Sequence, residues 1–375
     1  AGIRIEGSDN TIDNNIIKDH DQHGVYLTSA GSHTISNNTI EDNRIHGIWL
    51  SGSDSNVINN NIVNANNQCE CSGRGIYLTS SDSNIISDNT IKDMPWSSTT
   101  GGDGVYISNS DNNIISSNTI QDNGDDGIYL DNSNSNTISN NTIDDNPDEG
   151  IQLKSSNNNV IHNNTVTDCP NAIQLQANSS NNTISNNFIE ASSGDGLSII
   201  GSNNIITNNT IKDSGDIGII ISGDSNIVRY NNITGNGYGL NSSSSVDARY
   251  NWWGNESGPS GAGLGNGDSI NNTSLITYSP WLCDPFGTGS GSLCDDGIII
   301  VDANGTGHYD NIQDAIDNAT AGNTILVKNG TYDGFTLNVD NITISGEYRN
   351  NTKIEDSSTN KKVQISLSLV TTSLQ

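Results

Sequence analysis

The feature that most constrains this chain is an internal repeat of about 22 residues that fills its first two thirds. Each unit begins with a glycine and an alternating apolar stretch, such as Gly127-Ile128-Tyr129-Leu130, and continues through two shorter stretches centred on an isoleucine. Strict alternation over three or four residues, interrupted by Asn, Ser, Asp and Gly, indicates short strands and turns rather than helices. Most steps are 21 to 24 residues, and the first position of the unit recurs at Gly2, Gly24, Gly47, Gly75, Gly104, Gly127, Gly150, Ala172, Gly196, Gly218 and Gly239.

Three strands in about 22 residues cannot bury their apolar face alone, but stacked units can. Each strand would then pair with its equivalent in the next unit, about 4.8 Å away, and the Ile, Leu and Val side chains would fill a narrow core. The chain is polar enough to suggest disorder, but a disordered chain has no reason to keep apolar residues at a fixed period. The sequence therefore predicts an all-β right-handed parallel β-helix of three sheets over residues 1–249, with about 22–23 residues per coil.

A column of asparagines supports the stacking. One asparagine occupies the same place in ten successive units, which predicts an inward-facing ladder of amides at a tight turn. Asparagine also tolerates the left-handed backbone of such turns. The predicted ladder consists of Asn15, Asn38, Asn61, Asn89, Asn118, Asn141, Asn164, Asn187, Asn209 and Asn232.

The repeat gives way at residues 250–282 to a sequence that contains Asn251-Trp252-Trp253-Gly254, Ser257-Gly258-Pro259 and Ser279-Pro280-Trp281-Leu282. Solenoids need atypical terminal units to cover their last rung, so this segment is predicted to be a cap. An aromatic cluster that binds a ligand is the alternative.

These repeats resemble the parallel β-helix repeats of NosD-like periplasmic copper-binding proteins and of the carbohydrate-binding and sugar-hydrolase β-helix group. The Asn-Trp-Trp-Gly ending is similar to that of archaeal and bacterial surface β-helix proteins. The resemblance covers about residues 1–282 and implies the fold. It implies little about function, because such repeats serve adhesins, epimerases, lyases and surface-layer proteins alike.

After the cap, a Gly/Ser-rich linker at 283–297 is flanked by Cys283 and Cys294, whose spacing suits a disulfide. Residues 298–375 then resemble the opening of a β-helix, with strands around one short amphipathic helix between Tyr309 and Thr320. We expect this segment to complete the β-helix of a neighbouring subunit, head to tail, because the first repeat also starts without a cap. A truncated second domain and an intramolecular arrangement are the alternatives.

The outward position of the first strand is aromatic in five successive units. Stacked aromatic side chains would form a flat ridge suited to sugar rings or to another protein, although aromatics also stabilise exposed sheets. Two insertions, at 64–74 and 92–103, precede such strands, and the second contributes Trp96. The ridge consists of Tyr26, Trp49, Tyr77, Tyr106 and Tyr129.

Acidic residues stand just before the repeat glycine in three consecutive units, namely Asp103, Asp126 and Glu149. Stacked carboxylates repel, which favours a Ca²⁺ ion or a raised pKa, and two rungs span about 10 Å, near the carboxyl separation of inverting glycosidases. Solvated turns are the alternative, and no cluster of Lys or Arg that could hold an acidic sugar lies nearby, since Arg74 and Lys154 are isolated basic residues. His23 and His46 stack similarly but are poor evidence for a metal, so no metal site is predicted.

The formal net charge of −29 argues against nucleic acid and anionic membranes as partners. No apolar run approaches the length of a membrane span. Sequons outside the ladder make Asn178, Asn255 and Asn304 candidates for glycosylation, consistent with an extracellular or cell-surface protein.

Three functions remain open. The first is a structural surface protein that assembles head to tail into a filament, sheath or surface layer and is not an enzyme. The second is a carbohydrate-active lyase, epimerase or glycosidase that uses Asp103, Asp126 and Glu149, and the third is a monomeric glycan-binding adhesin that uses the ridge. We expect the first function and no cofactor.

Overall fold

The computed structural model describes residues 1–68, 72–95, 101–190, 192–263, 265–287, 291–294, 297–304, 309–347 and 351–355. Over this part the chain is a parallel solenoid, and the all-β prediction is confirmed. Each coil contributes one strand to each of three sheets, and every strand pairs in parallel with its equivalent in the next coil, as Ile128 does with Ile151. The described residues include no helix that is long and apolar enough to cross a membrane.

The strands are short because a corner follows every three to six residues. Sheet 1 has 13 strands: Ile3–Ile5, Val25–Thr28, Ile48–Ser51, Ile76–Thr79, Val105–Ser108, Ile128–Asp131, Glu149–Lys154, Asn171–Leu175, Leu197–Ile199, Ile217–Ile221, Tyr238–Ser242, Gly267–Ile270 and Pro259–Gly261. Sheet 2 has 12: Thr11–Asp13, Thr34–Ser36, Val57–Asn59, Ile85–Ser87, Ile114–Ser116, Thr137–Ser139, Val160–His162, Thr183–Ser185, Ile205–Thr207, Ile227–Arg229, Val246–Asp247 and Ile276–Thr277. Sheet 3 has 10: Ile16–Lys18, Thr39–Glu41, Ile62–Asn64, Thr90–Lys92, Thr119–Gln121, Thr142–Asp144, Thr165–Thr167, Phe188–Glu190, Thr210–Lys212 and Asn232–Thr234.

The inward residues of all three sheets form one continuous apolar core. In a typical coil Ile128, Leu130, Ile138 and Ile143 are completely buried. Alternation places these side chains inward and leaves their neighbours on the outer faces. The repeat period therefore decides which residues each outer face can offer.

The asparagine ladder lies at the corner between sheets 2 and 3. The Oδ1 atom of Asn141 accepts from the backbone N and the Nδ2 of Asn118, at 2.9 and 3.0 Å. Its Nδ2 in turn donates to Asn164 Oδ1 at 2.9 Å and to the Ile115 carbonyl at 3.0 Å. Each buried amide is therefore satisfied by the coils above and below it.

The prediction was wrong for the tenth member of the ladder. Asn209 donates to Asn231 Oδ1 at 2.9 Å, so Asn231 holds the position assigned to Asn232. Asn187 and Asn209 are 22 residues apart in the sequence. The same spacing after Asn209 leads to Asn231, the first of the two adjacent asparagines, and not to Asn232. Asn232 lies in a strand of sheet 3, where its side chain exchanges two hydrogen bonds with the backbone of Phe286.

A second ladder, which the sequence reasoning missed, lies at the corner between sheets 1 and 2. Asn113 donates its backbone N–H to Asn136 Oδ1 at 2.7 Å, and Asn136 does the same to Asn159 at 2.8 Å. The signal was present in the sequence as an asparagine directly before most strands of sheet 2. Both of these corners are thus held by buried amides.

Residues 250–282 continue the stack. Trp252 forms a parallel bridge with Asn232, Trp253 is completely buried, and Ile276–Thr277 extends sheet 2. Trp281–Leu282 then pairs in antiparallel fashion with Leu293–Cys294, and a disulfide joins Cys283 to Cys294.

The C-terminal unit has a hydrophobic cluster of its own. The strands Ile298–Val301, Thr324–Val327 and Thr343–Gly346 form one parallel sheet, and Gly330–Asp333 pairs with Thr352–Glu355. The helix Ile312–Asp317 buries Ile312, Ala315 and Ile316 against this cluster. Residues 356–375, part of the segment predicted to complete a neighbouring subunit, lie outside the described residues.

Candidate functional site

The aromatic ridge lies on the outer face of sheet 1, but its rings stack on one another. The ring centroids of Tyr26 and Trp49 are 4.5 Å apart, those of Trp49 and Tyr77 are 6.0 Å apart, and those of Tyr77 and Tyr106 are 5.2 Å apart, with interplanar angles of 19°, 6° and 26°. Tyr129 continues the row at 4.9 Å. Because each inner ring has a neighbour on both faces, the ridge presents ring edges to solvent and does not offer the flat stacking surface that was envisaged.

Trp96, the other predicted member of the ridge, lies outside the described residues. The ridge tyrosines are only partly buried, and a tyrosine hydroxyl can both donate and accept hydrogen bonds, as binding of a sugar requires. The Tyr106 hydroxyl lies 3.5 Å from Asp131 Oδ2. Burial, together with the negative charge of Asp131, raises the pKa of Tyr106 to about 12, so its hydroxyl keeps its proton.

A second row runs beside the ridge, at the corner between sheets 3 and 1. We call it the corner column, and it consists of His23, His46, Arg74, Asp103, Asp126, Glu149, Asn171 and Asp195. Several side chains in it accept a hydrogen bond from the backbone N–H of the next coil. Examples are His46 Nδ1 from Arg74 at 3.1 Å, Asp126 Oδ1 from Glu149 at 2.9 Å and Asn171 Oδ1 from Asp195 at 3.1 Å. These acidic residues are therefore structural parts of a turn and not only charges on its surface.

His23 and His46 also accept hydrogen bonds from the backbone of the next coil. Their rings stack with centroids 4.9 Å apart, and each Nδ1 faces a backbone N–H of the following coil. Burial lowers the pKa of His23 to about 4, and it lowers the pKa of His46 well below its usual value with help from His23 and Arg74. Both rings are thus neutral at physiological pH, and the geometry assigns them to the turn.

Arg74 is an exception in the corner column, because its guanidinium has no atom that can accept a hydrogen bond from the next coil. Its Nε donates to Asp103 Oδ2 at 3.0 Å, and both side chains are nearly buried, with 13% and 3% of their surface exposed. The guanidinium carbon lies 4.1 Å from the centre of the Tyr106 ring and 4.9 Å from that of Tyr77. Arg74 therefore ties the corner column to the ridge.

Lys154 also has a carboxylate partner. Its Nζ lies 3.7 Å from Asp131 Oδ2, on the far side of the ridge from the corner column. Both cations near the site therefore already have a carboxylate partner.

The three predicted carboxyl groups lie on successive coils of the corner column, and all are buried. Burial raises the pKa of Asp103 to about 6, although Arg74 opposes the rise. Burial and the neighbouring charges of Asp103 and Glu149 raise the pKa of Asp126 well above its usual value. Burial also raises the pKa of Glu149, and Asp148 adds to the effect. A carboxyl group that holds a proton near neutral pH can serve as a general acid.

The site opens to solvent at Asp148. Oxygen atoms of Asp126, Asp148 and Glu149 lie within 4.8 Å of one another, and Asp148 is the exposed member. Glu149 is held in place by the side-chain amides of Gln152 at 2.7 Å and Gln174 at 2.6 Å. A polymer along sheet 1 would thus meet the carboxyl groups from the side of Asp148.

The carboxylates of Asp126, Asp148 and Glu149 are the candidate ligands for the Ca²⁺ considered from the sequence, and Asp103 is not part of this group. Ca²⁺ takes six to eight oxygen ligands. Three carboxylates supply only part of that number, and Glu149 already accepts hydrogen bonds from amides at both of its oxygens. The donor set therefore fits Ca²⁺ poorly.

The glycosylation candidates lie away from this site. Asn178 and Asn304 are exposed, and Asn255 is half-buried with its Oδ1 accepting from the Ser257 backbone and hydroxyl at 3.0 and 2.8 Å. Their glycosylation stays a prediction.

Comparison with known proteins agrees with this fold. The family model of the right-handed beta helix region matches residues 1–95, 69–192 and 176–279. Among solved structures, the A-modules of the Azotobacter vinelandii mannuronan C-5 epimerases AlgE6 and AlgE4 match with TM-scores of 0.55 and 0.52, at 14% and 15% identity. The AlgE6 match covers 71% of this chain and 81% of that chain, and the AlgE4 match covers 63% and 76%. A mutant of the periplasmic alginate epimerase AlgG matches with a TM-score of 0.54 at 14% identity, over 86% and 77%. No curated protein sequence matches the chain.

These comparisons contradict the prediction that the chain is not an enzyme, because the similar structures are epimerases of polysaccharides. They favour the carbohydrate-active alternative and give no support to a filament or sheath. At 14–15% identity the likeness shows the fold alone, so the activity has to be argued from the site.

Proposed function

Since the chain belongs to the family of right-handed β-helix proteins, we propose that it is a carbohydrate-active enzyme that works on a polysaccharide lying along the outer face of sheet 1. The observation that carries the proposal is the stack of buried carboxyl groups at Asp103, Asp126 and Glu149, placed beside a row of tyrosine hydroxyls. Perturbed carboxyl groups beside a binding surface are typical of active sites.

The environment of each carboxyl group suggests its role. Asp126 lies between two other carboxyl groups and has no cationic partner in the described part of the chain, so it is the group that holds a proton. Asp103 has Arg74 beside it, and that guanidinium favours its ionised form. Asp126 would act as the general acid, and an ionised Asp103 or Glu149 would accept a proton or stabilise positive charge on the sugar.

The distance between the carboxyl groups of Asp126 and Glu149 bears on the type of reaction that they could catalyse. Carboxyl groups about 5 Å apart are typical of retaining glycosidases and those about 6.5–9.5 Å apart of inverting ones. Oxygen atoms of Asp126 and Glu149 lie within 4.8 Å of one another, which is too close for the inverting arrangement. Proton abstraction and return at a sugar carbon, as in a lyase or an epimerase, needs the same pair of groups. The products separate these reactions: new reducing ends, unsaturated ends or epimerised residues.

The test is a panel of neutral and acidic polysaccharides with the full chain and an Asp126→Asn variant. We expect one substrate to be turned over and the variant to lose at least about 100-fold in rate, the lower range for general acid–base catalysis. The variant should fold, because Asn171 occupies the same position of the corner column and accepts the same hydrogen bond.

Asp88→Asn is the matched control. Asp88 is an exposed turn residue with a positive φ of 58°, at a position where other coils carry asparagine. Its activity should equal that of the wild type. Absence of turnover on the whole panel, or full activity in Asp126→Asn, would refute the proposal.

We also propose that the protein works outside the cytoplasm. The disulfide between Cys283 and Cys294 supports this, because such bonds persist in oxidising compartments.

A further inference from the structure

The two outward rows of sheet 1 carry no net charge, although the chain has a net charge of −29. The first row is aromatic and then turns to amides and a serine, and the second is made of hydroxyls until it reaches Asp131 and Lys154. The Nζ of Lys154 lies 3.7 Å from Asp131 Oδ2, so these two charges compensate each other. The first row consists of Tyr26, Trp49, Tyr77, Tyr106, Tyr129, Gln152, Gln174 and Ser198, and the second of Thr28, Ser51, Thr79, Ser108, Asp131 and Lys154.

This face is long, and its polar groups are those that bind hydroxyls. The first row spans seven steps between coils, or about 34 Å at 4.8 Å per step. The side-chain amides of Gln152 and Gln174 are held in place because each donates to Glu149, at 2.7 and 2.6 Å. Hydroxyl and amide groups both donate and accept hydrogen bonds, as the hydroxyls of a sugar do. The face therefore suits several consecutive residues of an uncharged chain.

The corner column beside this face is acidic. Its three buried carboxyl groups have two further neighbours, the half-buried Asp125 and the exposed Asp148. Arg74 is the one cation among the residues of the corner column. It already donates to Asp103 Oδ2 at 3.0 Å, and only 13% of its side chain is exposed. A carboxylate on a bound sugar would thus meet like charges, and both cations among these described residues already have an anionic partner.

We infer that the polysaccharide bound along sheet 1 is a neutral one, without uronate or sulfate groups. The inference rests on the proposed function and names the substrate class of that same site. Like charges brought together at a binding surface exclude a ligand more strongly than matched charges attract one, so the acidic column selects against anionic polymers. Residues 69–71 and 96–100, which are outside the described part of the chain, have no Lys or Arg in their sequence.

The experiment compares polymers that share a backbone and differ in charge. Galactomannan, glucomannan and β-glucan are each paired with their carboxymethyl derivatives, and methyl-esterified polygalacturonate is paired with the free acid. Binding to the full chain with Asp126→Asn, which separates binding from turnover, is measured by biolayer interferometry with a chelator present. We expect at least one neutral polymer to bind and its acidic counterpart to bind at least about tenfold more weakly. The difference should shrink between about 0.01 M and 0.15 M ionic strength, because salt screens repulsion and leaves steric effects unchanged.

Two lysine variants on the same coil locate the effect. Thr79→Lys places a cation on the outer face of sheet 1, and Ser87→Lys makes the same change of charge on the outer face of sheet 2. In the Asp126→Asn background, Thr79→Lys should strengthen binding of the acidic polymers roughly threefold, within the range of exposed ion pairs. Ser87→Lys should leave it unchanged.

The inference and the proposed function can fail separately. Binding of a neutral polymer that the wild type does not turn over would refute the enzyme and leave the inference standing. Turnover of an acidic polysaccharide that is lost in Asp126→Asn would support the enzyme and overturn the inference. Acidic polymers that bind as tightly as their neutral counterparts, no binding of any neutral polymer, or equal effects of the two lysine variants would overturn it too.

Discussion

At the scale of single residues, what holds this molecule together is the buried amide. Asn141 lies in the core corner with all its polar atoms paired to neighbouring coils, whereas Asn140 beside it is exposed and has a positive φ of 56°. The two residues have the same side chain but stabilise the fold in different ways. One satisfies buried polar groups, and the other supplies a turn that few residue types tolerate.

Replacing Asn141 with leucine should therefore be severe. The substitution keeps the branched shape of the side chain but removes the acceptor of the Asn118 backbone N–H and the donor to the Ile115 carbonyl. We expect a loss of about 3 kcal/mol or more in the free energy of unfolding, measured by urea titration. Asn140→Gly should change it by no more than about 0.5 kcal/mol, because glycine accepts a positive φ. Equal losses in the two variants would mean that the ladder contributes little.

At the scale of elements, the corner column links stability to pH. The folded-state pKa values of Asp103, Asp126 and Glu149 are raised, so the folded state binds more protons than the unfolded state in the acid range. Stability from Asp103 is present below about pH 4 and is lost as the pH rises through about 6, and the contributions of Asp126 and Glu149 change in the same direction.

Asp247 gives the stability of the fold the opposite dependence on pH. Burial alone would raise its pKa, but hydrogen bonds from Arg249 and Arg229 lower it to about 2. Its contribution is therefore present above about pH 4 and is lost as the pH falls toward 2.

We accordingly expect the three carboxyl groups to lower the melting temperature as the pH rises from about 5 to 7, against the opposite effect of His23 and His46, whose lowered pKa values cost stability at acid pH. Thermal unfolding followed by circular dichroism across this range would measure it. In Asp126→Asn the fall between pH 5 and 7 should be smaller, because the substituted side chain does not ionise. An unchanged fall in the variant would show that the column is not its source.

The repeat period predicted the strands, the three sheets and nine of the ten ladder asparagines, because period and burial are directly coupled in a solenoid. It also placed Asp103, Asp126 and Glu149 in one column. It could not predict that the rings of Trp49 and Tyr77 lie face to face, since that depends on side-chain rotamers. Nor could it pair Arg74 with Asp103, because the two residues follow insertions whose paths have no repeat to define them.

At the scale of the whole molecule, the described chain has two hydrophobic cores that share no residue. The linker between them is fastened by the disulfide and by the contact of Phe286 with Asn232. The C-terminal unit buries its own helix and strands, so the solenoid does not need it for a core. Head-to-tail donation of this unit to a neighbouring subunit stays a prediction.

Deleting residues 298–375 tests whether the solenoid is stable without the C-terminal unit and whether that unit is donated to a neighbouring subunit. Because the cores are separate, we expect the deletion to leave the unfolding midpoint of the solenoid unchanged in urea. Sedimentation of the full chain and of the deletion variant at high concentration would show whether the unit drives assembly. A lower midpoint in the deletion variant would show that the unit stabilises the solenoid, and oligomers formed only by the full chain would support donation.

The stacking of coils also bears on how such a chain can fold. Paired strands are separated by only 20 to 29 residues in sequence throughout the repeats, as for Ile227 with Asp247 or Ile76 with Val105. These separations are less than a tenth of the chain length, a relative contact order usually found in helical bundles. Forming each coil therefore requires the closure of only a short loop. Once a coil has formed, its strands can pair directly with those of the next coil. Folding can start at any coil and spread in both directions, so that a long all-β chain avoids the slow search for distant partners.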